Sequence, residues 1–166
     1  FVLRHLKHAT SDLVIGTAGG TVSVTDATTT QTQNGQFTGS GTLTKTGNGT
    51  LVLNSTANSY AGGTIVNGGT LRLSQVATAS SSNITLNAGT LNIGSVKPAN
   101  DIVVAGSSTL SGGDGGGLSG SRNISGSADL LLAVTTGVFD LTGDMTAYSG
   151  TITLTTLGEP SSGEDH

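Results

Sequence analysis

Apolar side chains alternate with their neighbours in several short stretches of the chain. Leu51 and Leu53 flank Val52, Leu71 and Leu73 flank Arg72, Leu91 and Ile93 flank Asn92, and Ile152 and Leu154 flank Thr153. A period of two is the signature of a strand with one buried face. Arg72 and Asn92 mark the wet side, so the Leu and Ile positions are predicted to face a core.

These strands recur at a fixed interval. Leu51, Leu71 and Leu91 each follow a Gly/Ala-Gly-Thr or Gly-Thr phrase and lie twenty residues apart. Leu110, Leu130 and Ile152 continue the series in more degenerate copies, and Val22 in Gly20-Thr21-Val22 is read as an upstream copy. The longer interval from Val22 to Leu51 predicts an insertion in the Thr- and Gln-rich stretch 27–36. A second ladder precedes the first by six to eight residues: Leu43, Ile65, Ile84, Ile102, Ile124 and Met145. Self-similarity at a constant period of this size is the mark of a repeat architecture.

Corners separate the strands. Gly49, the pair Asn67 and Gly69, and the pair Asn87 and Gly89 stand just before strands, and Asn and Gly tolerate the positive φ that a sharp corner asks for. Tyr60 is read as closing a further corner, and Lys45 as ending a strand. Helical patterning is confined to Phe1–Ala9, where Leu3 and Leu6 could share one face of a turn or two.

Twenty residues hold two or three short strands and their corners, and leave no room for a crossover helix. The fold expected is therefore all-β: a parallel β-solenoid of about six to seven coils. An antiparallel sandwich predicts hairpins rather than uniform translation of one phrase. At about 4.8 Å per strand spacing the coils make a rod of roughly 30 Å. One coil cannot bury enough apolar surface to fold alone, so stability must come from stacking. The expected organisation is a cap or edge segment at 1–10, the solenoid at 11–157 and a tail at 158–166.

Residues 39–73, GSGTLTKTGNGTLVLNSTANSYAGGTIVNGGTLRL, carry a denser pattern. Gly39, Gly41, Leu43, Lys45, Gly47, Gly49, Thr50, Leu51 and Leu53 are followed by Asn58, Tyr60, Gly62, Thr64, Val66, Gly69, Thr70 and Leu71. This stretch, about a fifth of the chain, resembles the autotransporter-associated β-strand repeat. The resemblance implies a right-handed β-helix in a secreted passenger, displayed at or released from a Gram-negative cell surface, with the repeat associated with outer-membrane passage. Long bacterial surface fibres use similar repeats. Neither a barrel nor a signal sequence accompanies the pattern, and the chain is expected to be a mature segment or a fragment.

Composition narrows the chemistry. Of 166 residues 27 are Gly, 3% are aromatic and 10% are charged, with a net charge of −4. The core must be aliphatic, and there is no electrostatic footprint for nucleic acid. Cys is absent, which excludes disulfides and thiolate metal sites. No apolar run has the length of a transmembrane helix. Polysaccharide-active β-helices need clustered acids, whereas Asp12, Asp26, Asp101, Asp114, Asp129, Asp140 and Asp144 are scattered and read as solvated corners. Gly112–Gly117 around Asp114 is a single copy of a pattern that binds calcium only in tandem, and reads as a loop. His5 and His8 lack a third ligand. Asn48, Asn54, Asn83 and Asn123 fit the glycosylation sequon. No catalytic, cofactor or metal residue is assigned, and no cofactor is expected. The function expected is structural, a stalk, passenger or fibre segment with adhesive potential. Its partners are further repeats of its parent chain, copies of itself, or surface glycans and matrix. A glycan-binding module is the alternative, and an enzyme the third reading.

Overall fold

The computed structural model describes residues 2–4, 8–74, 82–118, 120 and 122–156. Among them there is no helix, and every strand pairing is parallel. The chain winds as a β-solenoid with two main sheets. The seven-stranded sheet stacks Val2–Arg4, Gly20–Ser23, Leu43–Thr46, Thr64–Val66, Ile84–Leu86, Ile102–Val104 and Ile124–Gly126 in chain order. The eight-stranded sheet stacks His8–Ala9, Thr30–Gln33, Thr50–Leu53, Thr70–Leu73, Gly89–Gly94, Ser108–Gly112, Leu130–Val134 and Ile152–Thr156. A third face holds the pairs Leu13–Ile15 with Phe37–Gly39 and Gly117–Leu118 with Asp140–Leu141. Ser59 N–H and Ala61 N–H extend that face by donating to Phe37 O and Gly39 O at 2.8 and 2.9 Å.

Register offsets run from 18 residues (Ile84↔Ile102) to 24 (His8↔Thr32), and hold at twenty through Thr50↔Thr70↔Thr90. Side chains alternate in and out along each strand, so in-register stacking builds continuous internal rows. In the eight-stranded sheet one inner row reads Gln31, Leu51, Leu71, Leu91, Leu110, Leu132, Leu154. In the seven-stranded sheet the facing rows read Leu43, Thr64, Ile84, Ile102, Ile124 and Val22, Lys45, Val66, Leu86, Val104. Ile93, Leu53 and Leu73 complete the dry interior.

The register departs from the sequence expectation at five positions. Val22 pairs with Lys45 in the seven-stranded sheet; the place before Leu51 is taken by Gln31. The stretch 27–36 is therefore not an insertion but holds an ordinary strand, Thr30–Gln33, hidden because its inward residues, Gln31 and Gln33, are amides. Ile65 pairs with Thr44 and Thr85 on the outer, half-buried side, and Thr64 and Val66 turn inward instead. Thr64 is the inward residue because its hydroxyl meets the buried Tyr60 hydroxyl at 2.6 Å. Leu130 and Ile152 stack on Ser108, two residues upstream of the Leu110 row, which Leu132 and Leu154 continue. A two-residue slip keeps a side chain on the same face, so alternation alone cannot detect it. Leu154 is in register yet 61% exposed, since no described strand stacks beyond Ile152–Thr156.

At the other end, Val2–Arg4 and His8–Ala9 are strands paired to Thr21–Ser23 and Thr32–Gln33, which replaces the helical turn expected there. Phe1, His5 and the tail 158–166 lie outside the described residues.

Candidate functional site: the polar core of residues 43–73

The densest pattern in the sequence folds into two successive coils with a polar centre. Lys45 is completely buried between Val22 and Val66 of its row. Its ammonium donates to Thr46 O and Gly47 O at 2.9 Å each, and across the coil boundary to Gly68 O at 3.1 Å. Three N–H donors thus meet three carbonyls, which is the full donor capacity of the group. Burial lowers the Lys45 pKa to about 8.

The corners around that cage are built from small residues for a steric reason. Gly69 has φ +61°, and a Cβ added there would lie 2.4 Å from both Gly47 O and Gly49 O. A side chain would therefore push the second coil off the first. At the same corner Asn67 stacks under Asn87 of the next coil, with Asn87 Nδ2 donating to Asn67 Oδ1 at 2.8 Å. Gly49 and Gly89 occupy the equivalent corner positions: Gly49 N–H donates to Val24 O, and Gly69 O accepts from Thr90 N–H.

Tyr60 is buried where the third face turns into the seven-stranded sheet. Its ring meets Phe37 of the preceding coil edge-on, with centroids 6.1 Å apart, and its hydroxyl bonds Thr64. Asn58 Oδ1 accepts Phe37 N–H at 2.7 Å, again reaching one coil back. Thr42 Oγ1 donates to Gly62 O, Asn54 Nδ2 to Asn34 Oδ1, and Ser74 Oγ to Leu53 O and Asn54 Oδ1. Side chains of this segment therefore tie each coil to the next.

Acids elsewhere have a related use. Asp12, Asp101, Asp114 and Asp129 each accept, through Oδ1, a backbone N–H 22 to 24 residues on: Gln36, Asn123, Val138 and Thr151. Asp144 accepts Thr146 N–H within its own turn, which lowers its pKa. Asp140 pairs with Lys97. No group of three His, Cys, Asp or Glu residues able to hold a metal ion occurs among the described residues. A shallow outer hollow of about 420 Å³ is lined by Thr90, Ser108, Thr109, Asp129, Leu131 and Thr153 among others.

The pattern singles out Lys45 and Tyr60, and Tyr60 stands packed at a corner. Lys45 lies near the end of its strand but turns inward at an alternating position, and that inward phase is the signal of its cage. Gln31, Gln33 and Phe37, all buried, were also missed.

Residues 43–73, the same two coils, match the Passenger-associated-transport-repeat family. Over 48 residues the chain is 58% identical to the Adhesin BmaC autotransporter of Brucella suis biovar 1 (strain 1330). That stretch is 29% of this chain and 1% of the relative, so the match spans a small part of a very long protein. No solved structure matches. The described structure is a β-solenoid, and residues 43–73 within it carry an autotransporter passenger repeat.

Proposed function

We propose that this solenoid is part of the extracellular passenger of a longer autotransporter in a Gram-negative-type bacterium, secreted or held at the cell surface. Its role is mechanical: stacked coils carry load and hold binding surfaces away from the cell. The observation that carries this reading is the coincidence of the matched transport repeat with the two coils that Lys45 joins to one another and that Asn58 and Tyr60 join to the coil before. The natural neighbour of the exposed Leu154 row is a further coil of the parent chain, or a second copy stacked end to end.

Non-enzymatic function is part of the proposal. Four aspartates serve as ties between coils rather than as a facing carboxylate pair. Incubation with acidic and neutral polysaccharides, with and without Ca²⁺, is expected to release no sugar; depolymerisation would overturn this part.

The test of the main reading is delivery. The chain is placed between a signal peptide and an outer-membrane barrel, and surface exposure is read by protease shaving of intact cells. Surface delivery is expected for the native chain and loss of delivery for a version lacking 43–73. Equal delivery of both would refute a role for the repeat.

Adhesion is the second reading, favoured by the adhesin name of the relative and by an outer row of threonines, Thr30, Thr50, Thr70, Thr90 and Thr109, stacked in register. Binding of the purified chain on a glycan or matrix-protein array supports it, and a blank array leaves the spacer role alone.

A further inference from the structure

In a solenoid the position of the folding nucleus is not set by topology. Every coil meets its neighbour at a separation of 18 to 24 residues, so the entropy lost in closing the first pair of coils is nearly the same anywhere along the rod. Repeat arrays of this kind are free to nucleate at any neighbouring pair. The choice then falls to the junction with the strongest contacts between coils.

That junction lies within the transport repeat. The three largest fully buried side chains, Tyr60, Phe37 and Lys45, all belong to it or touch it. Asn58 to Phe37 N–H, Thr42 to Gly62 O, Ser74 to Leu53 O and Lys45 to Gly68 O each join one coil to the next. Among the side chains at these ties Lys45 alone is charged, and it holds both sides of a corner pair. Two of its bonds fix its own corner at Thr46 and Gly47, and the third seats Gly68, the corner of the coil above. The ion pair between Lys97 and Asp140 sits on the third face farther along the rod.

We infer that Lys45 is the latch of the folding nucleus, a positioning residue whose ammonium seats the Asn67–Gly69 corner on the Gly47–Gly49 corner before the outer coils add. Three carbonyls converging on one point are an unfavourable arrangement without a donor among them. The corners consequently stack when the ammonium is in place, and the apolar rows then continue in both directions. The inference deepens the reading of 43–73 as a transport repeat by naming the residue through which the repeat orders its neighbours.

The test is refolding of the purified full chain, followed by stopped-flow fluorescence or circular dichroism across denaturant. Lys45→Met keeps the length and apolar stem and removes the donors. It is expected to slow refolding roughly tenfold while changing the unfolding rate by less than about twofold, the partition of a nucleus residue. Tyr148→Phe is the reference: it removes the hydroxyl that donates to Ala128 O in the last coils, and should hasten unfolding with refolding unchanged. If Lys45→Met does not fold, Thr42→Val and Ser74→Ala, which loosen the same two coils, take its place with the same expected partition. An unchanged refolding rate in these variants, with the whole loss in unfolding, overturns the inference. The readout is independent of cells, so failed surface delivery with a slowed Lys45→Met refutes only the transport reading, and the converse result refutes only the latch.

Discussion

Lys45 places a titratable group where water cannot reach it. Burial pulls its pKa from 10.5 down to about 8, so the folded state holds that proton less firmly than the unfolded chain does. Between these values the unfolded chain binds more protons, and stability rises with pH. Tyr148, pushed up by burial and then by the charge of Asp129, works the opposite way above about pH 10, so the clean window is about pH 8 to 9.5. Thermal melts are expected to show the native chain gaining on the order of 1–2 kcal/mol over Lys45→Met across that window. A parallel rise in the variant would assign the effect to other groups. At the neighbouring row, Leu71→Asp and Leu91→Asp put a charge into a fully buried ladder and should lower stability by several kcal/mol. Arg72→Asp, one residue over and exposed, is expected to stay within about 0.5 kcal/mol. Equal melting temperatures for all three would contradict the register.

At the scale of strand and corner, what the sequence showed depended on whether chemistry and geometry agreed. The rows through Leu51, Leu71 and Leu91 were legible because an apolar residue recurs at constant spacing in each coil. Thr64 was not, because it faces inward for a hydroxyl partner, while the more apolar Ile65 beside it faces out. Gln31 and Gln33 were lost for the same reason: amides in an interior look like a loop, and Gln33 Nε2 settles its burial by donating to Ser11 O and Gly35 O. The Lys45 cage was out of reach, since two of its acceptors belong to glycine corners whose side chains say nothing. Corners carry their own test. Gly69→Ala forces a Cβ against two carbonyls at positive φ and is expected to cost at least about 1–3 kcal/mol, read as a clear fall in melting temperature. Gly16→Ala, where a Cβ meets nothing within 4 Å, serves as the control and should change little.

Across the whole molecule the core is a set of rows rather than a single cluster, and its ends differ. The Leu row starts under Gln31 and runs out at Leu154, 61% exposed. Leu154→Asp is therefore expected to be nearly neutral in isolation, within about 0.5 kcal/mol, whereas the equivalent change at Leu132, 7% exposed, should destabilise by several kcal/mol. The same Leu154→Asp in a chain extended by a further coil should become costly, and continued neutrality there would mean that coils do not stack on this strand.

Stacking at intervals of 18 to 24 residues also fixes how the rod yields when drawn out along its axis. A coil of twenty residues, as from Leu51 to Leu71, contributes about 4.8 Å of rod while stacked. Once peeled away it can stretch to roughly 70 Å. Each rupture therefore lengthens the tether about fourteen-fold at that point and leaves the next junction intact. A rod of such coils gives way in a series of similar steps rather than in one break.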